Sequence, residues 1–211
     1  MEPISLIINM PFSWWRSFDP DKNEKLIKPE KALLAKYLDA LCHEMKSLGQ
    51  DFTDRQVNCI HFSGGYMGLL MPDDFNSFMC AVRRSFNVSE KPEISGTLFP
   101  GSVDMALISS YSNEGVSPVM FEVPSLLMRE CEIKNLPNVM QLLDHTKYLM
   151  EAYRYSSWGI SLARGIEGRD KGKWEHNIME LLRYEPTFLS FFRAFQMDGE
   201  ENGLDDAKKL I

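Results

Sequence analysis

The 211-residue sequence predicts an α/β fold in which parallel strands alternate with helices. Short apolar runs rich in β-branched residues recur along the chain, and segments with apolar residues three or four positions apart separate them. This alternation occurs six times, as expected for parallel β/α units. Six units are too few to close an eight-stranded barrel. The periodicity alone therefore leaves two architectures open, a doubly wound sheet and an open, TIM-like partial (β/α)6 barrel.

The elements can be placed along the chain from their periodicity and from glycine and proline. Strands are predicted over residues 5–9, 57–62, 93–99, 118–123, 157–163 and 187–194. Helices are predicted from Pro29 to Gly49, from Pro72 onward, and over residues 103–114, 139–153 and 174–184. We therefore expect one barrel domain over residues 1–197 and a tail over residues 198–211.

Composition narrows the class of protein and its surroundings. Hydrophobic residues make up 44% of the chain and charged residues 25%, and the net charge is −7, without a basic stripe of the kind that binds nucleic acid. No segment approaches the roughly 20 apolar residues that cross a bilayer, and the N-terminus lacks the features of a signal peptide. These features predict a cytoplasmic protein that contacts neither nucleic acid nor membrane.

Cysteine and histidine residues were considered as metal ligands or catalytic groups. No two cysteines are close enough in sequence for a C-x-x-C pair, and their apolar neighbours predict buried, reduced thiols at Cys42, Cys59, Cys80 and Cys131. His61 falls inside a predicted strand and is interpreted as a hydrogen-bonded core residue. His145 and His176 fall on helices and are expected to be solvated.

An ordered set of short motifs resembles one enzyme family over nearly the whole chain. The motifs are Ile7-Ile-Asn-Met-Pro-Phe12 at the first strand, Ile60-His-Phe-Ser-Gly-Gly65 at the second, residues 92–101 at the third, and Gly165-Ile-Glu-Gly168 after the fifth. In this order they resemble the N-terminal catalytic barrel of radical S-adenosylmethionine (SAM) proteins related to oxygen-independent coproporphyrinogen oxidase. The resemblance implies the six-stranded partial barrel.

The same resemblance implies that cofactor ligands have been replaced. The family's three cluster cysteines correspond to Ser13, Ser17 and Pro20, and neither a hydroxyl nor a proline replaces a thiolate ligand. Polar SAM-binding positions correspond to Thr97, Pro118, Pro124 and Ser161. The glycines Gly64 and Gly65 are retained, either for SAM or only for a tight turn with positive φ. We therefore expect no [4Fe–4S] cluster and no other cofactor, with SAM as the one candidate that the glycine loop leaves open.

The working face of a β/α barrel lies at the carboxyl ends of its strands. Candidate ligand-binding residues there are Ser63, Gly64, Gly65, Tyr66, Thr97, Glu122 and Arg164. Glu122 and Arg164 are expected to form an ion pair or a ligand-binding pair. Trp14, Trp15 and Arg16 occupy the loop that carries the cluster in the family, where a tryptophan either fills vacated space or anchors a partner. No catalytic residue or metal ligand is predicted.

Two functions from different classes follow. The first is a non-catalytic protein that serves as a partner subunit or binding protein for a biosynthetic metalloenzyme, with a partner or a second copy covering the open barrel edge. The second is a repurposed, cluster-free enzyme that works at the barrel mouth, with or without SAM, using Glu122, Arg164 or Asp170 as acid–base groups. Retained tetrapyrrole binding is a third hypothesis.

Overall fold

The computed structural model describes residues 2–10, 31–63, 67–123, 139–164 and 171–193. Its strands are β1 (Ile4–Asn9), β2 (Gln56–Ser63), β3 (Asn87–Leu98), β4 (Val116–Val123), β5 (Trp158–Arg164) and β6 (Phe188–Arg193). Its helices are α1 (Lys31–Asp51), α2 (Pro72–Ser85), α3 (Met105–Asn113), α4 (Val139–Ala152) and α5 (Lys171–Leu182). Short 3-10 helices span Met67–Leu69 and Pro100–Ser102. The predicted tail over residues 198–211 lies outside the described residues.

The strand order decides between the two architectures. The sheet has six strands in the order β1-β2-β3-β4-β5-β6, and every neighbouring pair is parallel. In a doubly wound sheet the strand order reverses at a switch point. In this sheet each new strand instead pairs beside the preceding one, always in the same direction across the sheet. In the described residues β1 and β6 do not pair with each other. The fold is therefore an open partial barrel, as the resemblance implied.

Helix α2 shows why these residues form these elements. Pro72 occupies the first turn, Asp73 and Asp74 follow it, and Arg83 and Arg84 lie in the last turn, so the charges complement the helix dipole. Its buried side chains recur at helical spacing and face the sheet: Phe75, Phe78, Met79 and Val82. The ring of Phe62 on β2 lies 5.9 Å from that of Phe75 and 6.0 Å from that of Phe78.

Helix α3 is joined to the segment that follows β2. Its N-terminus is capped by Asp104, whose carboxylate accepts a hydrogen bond from the Leu107 amide at 2.8 Å. Near its other end, the fully buried Tyr111 donates a hydrogen bond of 2.7 Å to the Met67 carbonyl. The Tyr111 ring also packs edge-on against Phe75, with the ring centroids 4.5 Å apart. One side chain thus connects α3, α2 and Met67, the first described residue after β2.

Two of the boundaries that differ from the sequence prediction have a clear physical reason. Helix α1 continues past Gly49 to Asp51, because Gly49 is a contact point rather than a terminus: a Cβ atom there would lie 1.9 Å from the Ser85 carbonyl oxygen of α2. Strand β3 begins at Asn87, six residues before the predicted start, and pairs Asn87 with Gln56. Main-chain pairing extends the strand through polar residues that carry no apolar signal.

The prediction of buried cysteines is wrong for Cys80, which is exposed, and only partly met by Cys42 and Cys59, which are half-buried. Cys80 follows the buried Met79 on α2, so it turns away from the sheet. Cys131 lies outside the described residues. Among the helices of the described ranges, none is long and apolar enough to cross a membrane.

Candidate functional site

The sheet has one face covered by helices and one that we name the open face. Side chains alternate along each strand, and Ile60 and Phe62 of β2 are buried beneath the helices. His61 and Ser63 therefore point to the opposite side. Parallel pairing in register places matching residues of the other strands on the same side. The open face therefore includes the following residues: Ile7, Asn9, Cys59, His61, Ser63, Ser95, Thr97, Met120, Glu122, Gly159, Ser161, Phe188 and Ser190.

A row of polar side chains crosses the open face near the carboxyl ends of the strands. Ser63 ends β2 and lies one residue beyond the paired Phe62 and Gly96, which places it beside Thr97 on β3. Glu122 of β4 pairs in register with Ser161 of β5. Three of the predicted ligand-binding residues, Ser63, Thr97 and Glu122, therefore share the open face at the end of the sheet where β/α barrels bind ligands.

The row continues to the last strand through Ser161, which is 3% exposed and pairs in register with Ser190 of β6. The resemblance places Ser161 where the family has an acidic residue. In this chain the position is a small, buried hydroxyl, and it carries no formal charge next to Glu122.

The ligand-binding role of every predicted site residue stays a prediction, and several of these residues have no described position. Gly64, Gly65 and Tyr66 lie outside the described residues, as do Trp14, Trp15, Arg16 and Asp170. Arg164 ends β5, and its backbone pairs in register with Arg193, but its side chain lies outside the description. The pairing of Glu122 with Arg164 therefore remains a hypothesis, and so does the role of the two tryptophans.

The structure adds a pair of side chains that the sequence did not reveal. Nδ1 of His61 lies 2.9 Å from Oγ of Ser95, in a hydrogen bond between adjacent residues of β2 and β3. His61 is half-buried and faces the open side, so it belongs to the site rather than to the core. A sequence signal existed: each residue lies two positions before a candidate site residue, Ser63 or Thr97, and parallel strands align such positions.

Apolar side chains share the open face with the polar groups. Ile7 of β1 lies beside His61 of β2, and its side chain is 68% exposed. Phe188 of β6 covers Gly159 of β5: a Cβ atom at Gly159 would lie 2.3 Å from the aromatic ring. Together with Met120 these residues make the face partly apolar, with polar groups between them.

The cysteines of the described residues lie on different elements of the fold. A [4Fe–4S] cluster needs thiolate ligands held close together. Cys42, Cys59 and Cys80 lie on α1, β2 and α2 respectively. Within the described ranges, no three His, Cys, Asp or Glu side chains are grouped so that they could hold a metal ion. Residues 11–30, which include Ser13, Ser17 and Pro20, lie outside the described residues. The described part of the chain therefore offers no iron–sulfur ligand set.

The open sheet with its strands in sequential order resembles the catalytic barrel of radical SAM proteins. Its fold matches the coproporphyrinogen III oxidase HemN of Escherichia coli, described as a radical SAM enzyme, with a TM-score of 0.76 at 19% identity over 92% of this chain and 45% of that one. It also matches anSMEcpe with bound AdoMet and a peptide, with a TM-score of 0.57 at 15% identity over 96% of this chain and 54% of that one.

Sequence comparison finds relatives of the same kind. The oxygen-independent coproporphyrinogen III oxidase of Salmonella typhimurium is 23% identical over 197 residues, which cover 90% of this chain and 41% of that protein. The heme chaperone HemW of Synechocystis sp. is 20% identical over 194 residues, covering 90% of this chain and 47% of that protein. The chain thus spans less than half the length of these two relatives. No family model matches it.

These comparisons contradict the prediction that no cofactor is bound. One structural relative is described as a radical SAM enzyme and another carries AdoMet. The prediction rested on the three cluster positions and on the four SAM-binding positions named above, and it is wrong because nothing in the comparisons shows that the cofactors were lost. The resemblance to the radical SAM barrel is supported, whereas the loss of the cluster is not shown.

Proposed function

We propose that this chain is a binding protein or partner subunit in tetrapyrrole metabolism, and that its open face receives a tetrapyrrole which a partner metalloenzyme makes or uses. Two kinds of relative support this proposal, an enzyme that acts on coproporphyrinogen and a heme chaperone. The observation that carries it is the open face itself, where the exposed Ile7 adjoins the His61–Ser95 hydrogen bond.

The chemistry of the face suits a tetrapyrrole. Such a ligand is a broad, flat, largely apolar ring with carboxylates at its edge. Four neighbouring strands span about 14 Å, so Ile7 on β1 and Met120 on β4 are separated widely enough to contact different parts of one macrocycle. Burial of the apolar ring against these side chains supplies the main favourable free energy. Within the polar row, the hydroxyl groups of Ser63, Thr97 and Ser190, on either side of Glu122, supply donors for the edge carboxylates.

The edges of the sheet favour a protein partner. Unpaired strand edges present backbone donors and acceptors that invite pairing with another chain. At the β6 edge, Phe191 is 50% exposed, and its ring lies 5.4 Å from that of Trp174. We propose that a partner enzyme or a second copy covers this edge. A cytoplasmic location is part of the same proposal.

Absorbance titration of the purified chain with hemin, iron-free protoporphyrin IX and coproporphyrin III tests tetrapyrrole binding. We expect saturable spectral shifts at micromolar ligand for at least one of the three. Calorimetry with SAM in the same buffer measures whether the chain binds SAM. Light scattering after gel filtration, alone and with a coproporphyrinogen oxidase, tests the partner. Absence of any tetrapyrrole shift together with a lone monomer in both samples would refute the proposal.

A second candidate is an enzyme that acts at the same end of the sheet. Glu122 favours it, because this half-buried carboxylate lies on the open face beside Ser161 at the carboxyl end of β4. The variant Glu122→Gln keeps the shape of the side chain and removes its charge. If the chain is an enzyme of this kind, the variant should lower product formation by about 100-fold or more. An unchanged product level in cells that carry the variant would count against this candidate.

A further inference from the structure

His61 is placed on the sheet in a way that resembles a positioned metal ligand. It lies in the interior of β2 and projects from the open face. On one side its Nδ1 atom lies 2.9 Å from Ser95 Oγ. On the other side its register neighbour on β1 is Ile7, which is 68% exposed. The imidazole is therefore held at one nitrogen and borders an accessible apolar surface.

We propose that His61 is the axial ligand through which the open face binds the iron of a haem, with Ser95 as the positioning residue. This inference rests on the proposed function, because it assumes that the face receives a tetrapyrrole. Iron bound at Nε2 requires that Nδ1 carry the proton. Ser95 Oγ is then the acceptor of that N–H group, which holds the ring in one orientation and one tautomer.

The other histidines do not share this arrangement. The chain has four histidines, and His43, His145 and His176 are exposed on helices rather than on the sheet. His145 is stacked on Tyr148, with ring centroids 6.5 Å apart. A haem bound to any of these three histidines would cover little apolar protein surface. At His61, by contrast, the macrocycle would rest on the face that carries Ile7, and the iron would receive a neutral imidazole, which is a common axial ligand of haem iron.

The experiment compares hemin with iron-free protoporphyrin IX on the full chain. Both contain the same macrocycle and carboxylates, and only hemin has an iron to ligate. In the unaltered chain we expect hemin to give the Soret shift of an imidazole-ligated ferric haem. His61→Ala should lose that spectrum and weaken hemin binding by more than about tenfold, while its affinity for protoporphyrin IX stays within about twofold. Added free imidazole should restore the spectrum in this variant.

Three further variants separate ligation from folding. His61→Gln fills the volume of the imidazole without a strong iron ligand and should give the same spectra as His61→Ala. Because this variant leaves no cavity, loss of hemin binding in it is not explained by misfolding. Ser95→Ala should weaken hemin binding by about tenfold and leave protoporphyrin IX unaffected, because only the orientation of the imidazole is lost. His145→Ala is the matched control on a helix and should match the unaltered chain with both ligands.

The outcomes distinguish this inference from the proposed function. If the unaltered chain binds none of hemin, protoporphyrin IX and coproporphyrin III, the tetrapyrrole site of the proposed function fails, and this inference fails with it. If both ligands bind, and hemin gives the same spectrum and affinity with His61→Ala and His61→Gln as with the unaltered chain, the tetrapyrrole site stands and the role of His61 is refuted. Loss of both ligands in a folded His61→Gln protein would also overturn the inference, since it would show a contact to the macrocycle rather than to iron.

Discussion

Replacing Tyr111 with phenylalanine removes one hydroxyl group from the interior, at the point where α3 is joined to the segment after β2. The hydroxyl is fully buried and donates to the Met67 carbonyl at 2.7 Å. The same carbonyl also accepts a hydrogen bond from the Leu70 amide at 3.0 Å. Tyr111→Phe therefore leaves Met67 with one partner, and the full penalty of an unpaired buried group does not apply.

The magnitude follows from this count of partners. A buried hydrogen bond contributes about 1 kcal/mol net, and an unpaired buried acceptor costs about 1–3 kcal/mol. Since the carbonyl keeps a donor and the ring keeps its contact with Phe75, we expect a loss of about 1–1.5 kcal/mol. That corresponds to a decrease in Tm of about 2–6 °C for a chain of this size. Tyr111→Ala should cost about 3–5 kcal/mol, because it also empties the ring volume.

Urea denaturation at pH 7, followed by circular dichroism, measures the effect, and Tyr148→Phe is the control because Tyr148 is exposed. The denaturant slope should be unchanged, since the folded surface is the same. A loss below about 0.5 kcal/mol, or one equal to that of Tyr148→Phe, would show that the Tyr111–Met67 hydrogen bond does not stabilise the fold.

The same variant has a pH signature. Burial raises the pKa of Tyr111 well above its usual value, and the nearby Tyr155 adds to the rise. A raised folded pKa contributes stability that is fully present below the unfolded pKa, which is 10.0 for tyrosine, and is lost as the pH rises above it. The stability difference between the unaltered chain and Tyr111→Phe should therefore narrow above about pH 10.

The remaining predictions concern stability and use the same denaturation assay. Gly159→Ala should cost about 1–3 kcal/mol, because its Cβ would lie 2.3 Å from the Phe188 ring, and adding Phe188→Ala should give a total smaller than the sum of the two single losses. Asp104→Ala should cost about 1 kcal/mol by removing the N-cap of α3, whereas Asp104→Asn should retain most of the stability. Burial, with the charge of Asp144 next in size, raises the pKa of Tyr184 from 10.0 to about 12. Stability should therefore fall as the pH rises through that interval, and Tyr184→Phe should flatten the fall in thermal melts at stepped pH; equal slopes would contradict this assignment.

Much of the architecture was accessible from local patterns. The apolar spacing on α2 predicted its four buried residues, because a helix that packs on a sheet shows its buried face as a period near 3.6. Proline and glycine positions bounded most strands within a few residues. The boundaries near Gly49 and Asn87 differ from the prediction because they depend on contacts with residues far away in sequence, Ser85 and Gln56.

The candidate site was predicted only in part. Ser63, Thr97 and Glu122 could be placed on one face because all parallel strands end at the same edge of the sheet. The prediction of an absent cofactor failed, because substitutions at single positions of one sequence do not show that a cofactor has been lost when the relatives include a radical SAM enzyme and a protein with bound AdoMet. The hydrogen bond between His61 and Ser95 depends on strand register, which a single sequence does not specify.

By itself the sequence determined the alternation of strands and helices, the polar residues at the strand ends and the resemblance to the radical SAM barrel. Each of these features depends on residues that are close together along the chain. Only the tertiary structure decided that the strands add sequentially, that His61 faces the open side and that Ile7 beside it is exposed. These properties arise from pairing between residues that are distant along the chain, and such pairing has a register and a face that local composition does not contain.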